Sequence, residues 1–289
     1  MKKKRNGKIT TVLLIALLVA GLGLLAYPSV SNFWNSMHQT KAIKSYIEEV
    51  SELNKNDLTD IWKEVEEYNR NILKRGNKYL PDESEKEKYT ELLDVSGTGM
   101  MGYIDIPKIS VTLPVYHGTD KGVLQVAAGH LDWTSLPAGG ENTHCVLTGH
   151  RGLPSAKLFT DLDELEIGDT FILSVLDRTL TYEIDQILIV RPEEADALMI
   201  SDGEDLCTLV TCTPYGINTH RILVRGHRIT GDSQTAGSVK ITSDAVKMGS
   251  LMVAPAVAVP ILLVILIILF IKDKKRKTRQ VNKNEENNE

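Results

Sequence analysis

The sequence predicts a mainly β domain, a sandwich or barrel of short strands, preceded by a helical hairpin and flanked by two membrane-spanning helices. Three observations carry this. From Gly99 onward, short apolar or alternating runs recur between Gly and Pro, the pattern of many short strands. Residues 40–75 instead repeat apolar side chains at helical spacing. Two uncharged apolar runs, 9–27 and 250–271, lie towards the two ends, each beside a basic cluster.

The apolar runs approach the ~20 residues that a helix needs to cross a bilayer, and such a helix satisfies its own backbone polar groups. Lys2, Lys3, Lys4, Arg5 and Lys8 precede the first run, and Lys272, Lys274, Lys275, Arg276 and Lys277 follow the second. Basic residues stay on the cytoplasmic side, so residues 1–8 and 272–289 are expected inside the cell and 28–249 outside. Pro255 and Pro260 kink the second helix without excluding it. The first run competes with a cleaved signal peptide, but its length favours retention as an anchor. Between the basic flanks lie 21 basic and 34 acidic residues. That acidic balance excludes a nucleic-acid footprint.

The elements follow in order. Ile43, Tyr46, Ile47, Val50 and Leu53 mark one helix; Leu58, Ile61, Trp62, Val65, Tyr68, Ile72 and Leu73 mark a second, with Asn56 and Asp57 as caps between them. Residues 76–88 are polar, contain Gly76 and Pro81, and read as a loop closing an N-terminal extension over 36–88. Strands are expected at 103–106, 111–115, 144–148, 170–176, 179–184, 187–190, 206–212 and 222–224, with a tight hairpin at Asp177-Arg178. Pro192 opens a short helix over 192–199. Residues 230–249 read as a tether to the second span, and the Asn- and Glu-rich tail as disordered.

Three cysteines, Cys145, Cys207 and Cys212, leave at least one unpaired thiol outside the cell. Cys212 ends the apolar strand Leu206-Cys-Thr-Leu-Val-Thr-Cys and meets Thr213-Pro-Tyr-Gly, which exposes it; Cys145 and Cys207 lie within strands and read as inert core thiols. A thiol nucleophile needs a base or cation to hold its thiolate and a donor for the oxyanion formed on attack. His150 ends the apolar run His144-Cys-Val-Leu-Thr-Gly-His and meets Arg151-Gly-Leu-Pro. If the two strands are parallel neighbours, His150 and Cys212 emerge at one rim. Arg221 lies nine residues after Cys212, and an antiparallel return brings it there as a permanent cation. His130, His220 and His227 compete with His150 on these grounds, and Arg151 and Arg225 read as surface ion-pair residues. Parallel neighbours rarely meet disulfide geometry, so Cys145 and Cys207 are expected as free thiols. No cysteine spacing resembles a zinc ligand set.

The stretch Thr208-Leu-Val-Thr-Cys-Thr-Pro-Tyr-Gly-Ile-Asn-Thr-His-Arg resembles the signature of sortases of the class C, pilus-assembling branch. Thr148-Gly-His-Arg-Gly is similar to that branch's histidine motif, and Ser96-Gly-Thr-Gly-Met-Met-Gly-Tyr-Ile-Asp-Ile-Pro-Lys-Ile to its first barrel strand. The resemblance spans residues 89–229 and implies a closed eight-stranded β-barrel with short helices. It also implies a cysteine transpeptidase of the cell envelope, without cofactor or metal. Cys212 would attack the Thr–Gly bond of an LPxTG-like sorting signal, His150 would shuttle the proton, and Arg221 would hold substrate and oxyanion. Thr211, beside the nucleophile, is a candidate substrate-binding residue. The implied partners are LPxTG-bearing surface or pilin proteins, with a pilin lysine as acceptor.

One feature departs from the branch. Its lid carries an Asp-Pro-aromatic triplet, whereas the corresponding stretch here reads Tyr79-Leu-Pro-Asp-Glu-Ser, so an open site is expected. Three other functions compete: a sortase using a wall-peptide amine, a non-catalytic surface-binding β-domain, and a cysteine protease using water.

Overall fold

The computed structural model describes residues 4–75 and 83–229. The tether, second span, basic tail and residues 76–82 of the expected loop, with Tyr79 and Pro81, lie outside the described residues. Two compact units divide the described chain, residues 4–30 and residues 31–229.

In the first unit the helix α1 (Lys4–Glu52) begins. Leu14, Leu17, Leu24 and Leu25 are exposed on it. The apolar stretch is long enough to cross a membrane, with none of its most apolar window buried inside the protein.

The second unit is a closed β-barrel of eight strands, as the resemblance implied. They are β1 (Met100–Ile106), β2 (Val111–His117), β3 (Ala128–His130), β4 (Thr143–Thr148), β5 (Thr170–Val175), β6 (Arg178–Val190), β7 (Asp205–Thr213) and β8 (His220–Arg228). Around the barrel the order is β1-β2-β3-β4-β7-β8-β6-β5. Only β2–β3 and β4–β7 are parallel pairs. Alternation puts Val111, Leu113 and Val115 inside with Leu147, Phe171, Leu173, Leu209 and Val224.

Several expectations need correction. The two strands expected at 179–184 and 187–190 are one strand, β6, whose register against β8 shifts between Ile184 and Gln186. Val175 pairs with Arg178, so the two-residue turn is Leu176-Asp177, and Leu176 has a φ of 48°. The short helix over 192–199 is reduced to one 3-10 turn at Asp196–Leu198. The short strand β3 had no alternation long enough to announce it.

The helical hairpin is present: the C-terminal part of α1 is followed by α2 (Lys55–Arg75). Its cap is Asn54, not Asn56 or Asp57. Asn54 Oδ1 accepts from the N–H groups of Asn56 and Asp57 at 2.8 and 3.1 Å, and Asp57 Oδ2 accepts from the Asn54 N–H at 3.2 Å, a reciprocal box. Trp62, Val65, Tyr68 and Ile72 bury one face of α2 in the barrel core cluster. Trp62 Nε1 donates to Asp177 Oδ1 at 2.7 Å.

Residues 83–88, read as loop, begin a helix instead, α3 (Glu83–Glu91). Tertiary packing overrides its polar composition. Tyr89 is buried, its ring edge-on to His117 and stacked on His130.

Candidate active site

The parallel pairing of β4 with β7 sets the site. Cys145 faces Cys207, and Thr148 faces Val210. The Gly149 N–H extends this ladder by donating to the Val210 carbonyl at 3.1 Å. Continued two residues, the register brings His150 level with Cys212. The antiparallel pairing of β7 with β8 then places Arg221 opposite Cys212. Thus the three residues that the sequence singled out gather at one rim, and all three are partly exposed.

Local bonds hold them there. Thr211 and Thr213 are buried while Cys212 between them is partly exposed, as strand alternation requires. The Thr211 hydroxyl donates to the Gly149 carbonyl at 2.7 Å, just before His150. Phe159 N–H donates to the His150 carbonyl at 3.2 Å. The Phe159 ring lies where a Cβ on Gly149 would be, 2.7 Å from its nearest atom, so position 149 must be Gly. Arg221 Nη1 donates to the carbonyls of Asn218 and His220 at 3.2 and 3.0 Å, which aims the guanidinium within its own loop.

The rival histidines fall into place. His130 is fully buried, its Nε2 donating to the Ser135 carbonyl at 2.9 Å and its Nδ1 2.9 Å from the Tyr89 hydroxyl. It is a structural core histidine. His227 lies near the other end of β8, opposite Leu206. His220 shares the rim, opposite Thr213, with Thr219 Oγ1 3.0 Å from its Nδ1. All three cysteines are free thiols, and Cys145 and Cys207 are buried. Burial pushes the Cys207 thiol well above its ordinary range.

Arg225 is the ion-pair residue expected, bidentate to Asp185 at 2.9 and 3.0 Å. Arg151 is not on the surface. Its side chain is only 8% exposed and pairs with Asp163. Sequence reasoning expected an ion pair for Arg151 but placed it on the surface, and it did not single out Asp163 as the partner; the one available signal of a place near the site was the position of Arg151 directly after His150.

The sortase domain family matches residues 104–229 of the chain, from within β1 to just past β8. The chain shares 49% sequence identity with sortase C1 from Streptococcus agalactiae, at a TM-score of 0.65, over 66% of this chain and 100% of that one. The chain belongs to the sortase family. Another solved relative is Clostridium perfringens sortase C, whose X-ray structure is with the C-terminal cell wall sorting motif; identity is 43% and the TM-score 0.58, over 65% of this chain and 98% of that one. A curated relative, sortase D of Bacillus subtilis, is 33% identical over 132 residues, which is 45% of this chain and 64% of that protein. The chain thus spans somewhat less than two thirds of that curated sortase. Sortases are cysteine transpeptidases, and the solved neighbours are of class C.

Proposed function

We propose that this sortase cleaves an LPxTG-like signal between Thr and Gly and joins the Thr carboxyl to an amine, a pilin lysine in pilus assembly. The register that sets Arg221 opposite Cys212, with His150 level on the neighbouring strand, carries the reading. The Cys212 thiolate adds to the threonine carbonyl carbon. The oxyanion takes hydrogen bonds from the Arg221 guanidinium. As the C–N bond breaks, the His150 imidazolium gives its proton to the leaving glycine amine, which leaves a thioester on Cys212. The acceptor amine then attacks that thioester, neutral His150 takes the proton, an amide bond forms and the thiolate departs. The Thr211 side chain, buried and bonded to the Gly149 carbonyl, shapes the site beside the nucleophile.

The apolar start of α1 supports membrane anchoring of the catalytic domain. We place residues 9–27 and 250–271 across the membrane, with both termini cytoplasmic and the barrel, joined by the 230–249 tether, outside. The lysine acceptor rests on the likeness to class C sortases.

The test is mass spectrometry of products formed by the full chain in detergent from an LPxTG-bearing protein. One arm offers a pilin lysine, another a wall-peptide amine, and a third no amine. A lysine-linked product supports the proposal. Wall-peptide product alone reassigns the acceptor, hydrolysis alone in every arm makes the chain a protease, and no cleavage at all overturns catalysis.

A further inference from the structure

The residues on either side of Cys212 are bonded to the residues on either side of His150. Thr211 reaches Gly149, as described; on the far side Arg151 Nη1 donates to Thr213 Oγ1 at 3.4 Å. The two strands are thus tied at two points, with the reacting side chains between the ties. The second tie has its own support. Arg151 Nη2 donates to the Asp163 carboxylate, and its guanidinium carbon lies 5.8 Å from the centre of the Tyr215 ring. The Tyr215 ring also packs on Gly152, whose φ of 76° needs glycine and whose added Cβ would lie 3.1 Å from the ring. Gly152 N–H donates to Thr160 Oγ1 at 3.3 Å. Three chain segments, 150–152, 160–163 and 213–215, therefore converge on one buried guanidinium.

We infer that Arg151, oriented by Asp163, is the positioning residue that fixes the His150 imidazole relative to the Cys212 thiol. Burying a guanidinium is costly, and this one leaves its Nε without a partner. A core aliphatic residue would hold the loop at lower cost. The arginine adds direction: a planar fork reaches the strand after Cys212 with one nitrogen and the 160–163 turn with another, which a lysine point charge cannot do. A thiolate–imidazolium pair needs that precision, since displacements of about 1 Å cost on the order of a hundredfold in rate.

This inference rests on the reading of Cys212 and His150 as the catalytic pair, and the experiment separates the two. The rate of Cys212 alkylation is followed against pH in the full chain in detergent, for wild type, H150A, R151A, R151K, D163N and T213V. Thermal melts are recorded alongside. If H150A leaves the profile unchanged, the catalytic pair itself is wrong. If H150A alters it, D163N and R151A are expected to slow alkylation at pH 7 by roughly tenfold or more. Their acidic limb should move towards that of H150A while the proteins melt as folded chains, and R151K should recover only part. Removing a positive charge beside the pair would by charge alone also disfavour the Cys212 thiolate, so R151K, which keeps the charge but not the planar fork, separates lost geometry from lost charge. D163N keeps the arginine in place and alters a side chain that is 44% exposed, so it stays informative if R151A fails to fold. A wild-type profile in folded D163N and T213V overturns the inference.

Discussion

Cys212 and Arg221 are directly opposed residues of an antiparallel pair, β7 and β8, so their Cβ atoms lie within about 4.5–5.5 Å. Strand geometry alone thus sets a permanently charged residue directly across from Cys212. Arg221 also donates from one nitrogen, Nη1, to the carbonyls of Asn218 and His220. R221K is expected to keep a small fraction of transpeptidation. R221A should lose on the order of a hundredfold or more, the cost typical of one oxyanion donor. The loss should fall mainly on kcat, because the oxyanion exists only in the transition state. Equal steady-state kinetics for R221A and wild type would remove this residue from the trio.

The three thiols should separate cleanly by mutation. C212A is expected to abolish product formation. C145A and C207A should retain most of it, each losing about 1 kcal/mol of stability from a small core cavity, visible in urea unfolding. Cys145 and Cys207 are only 3% and 0% exposed and lie five residues before His150 and Cys212 on the same paired strands. Near wild-type joining by C212A would end the thiol mechanism.

The same burial predicts the labelling pattern. In the folded chain an alkylating reagent should modify Cys212 alone, and after denaturation without reductant it should modify all three cysteines. Two of three thiols unreactive in the denatured, non-reduced chain would reveal a Cys145–Cys207 bridge, which peptide mapping would locate.

The candidate rim was legible because its signal is local. An apolar strand that ends in a reactive side chain and then meets a Gly or Pro loop projects that side chain at a sheet edge, and His150 and Cys212 both have this form. Arg221 followed from the return strand. What could not be read depends on tertiary partners. Glu83–Glu91 has the composition of a solvated loop, and it is a helix whose Tyr89 packs between His117 and His130. Arg151 has the residue type of a surface cation, and only the convergence of Asp163, Thr213 and Tyr215 buries it. The break between 179–184 and 187–190 was a bulge inside one strand, and no pattern of period two distinguishes a bulge from a chain turn.

Tyr46 provides a test of how the C-terminal part of α1 is fastened to the barrel. Its hydroxyl donates to the Met101 carbonyl at 2.8 Å and accepts from the Leu176 N–H at 2.9 Å, while its ring packs with Ile43, Met100 and Tyr103. Y46F keeps the ring and strands both backbone groups. A buried unsatisfied group costs about 1–3 kcal/mol, so the variant should lose stability in that range in urea titrations, with transpeptidation largely kept. An unchanged midpoint would mean that water replaces the hydroxyl at little cost.

Stability should also fall on mild acidification, and His144 is one cause. Its Nδ1–H donates to the Met199 carbonyl at 2.8 Å and its Nε2 accepts from the Thr208 hydroxyl at 2.7 Å, an arrangement satisfied by the neutral ring. Burial holds its pKa below the ordinary 6.5, against the pull of the Met199 carbonyl, and nearby Arg225 adds to the lowering. The unfolded chain therefore binds the proton more readily than the folded one. The contribution is fully present above pH 6.5 and is lost as pH falls from there through the folded-state pKa. His117 is lowered as well, chiefly by burial, so it adds to the same slope. Urea midpoints of wild type and H144Q measured from pH 7.5 down to pH 5 isolate the His144 share by difference. The wild type should lose stability more steeply than H144Q across that window, with the two lines converging towards the acid end. Parallel lines would show that His144 takes up no extra proton on unfolding.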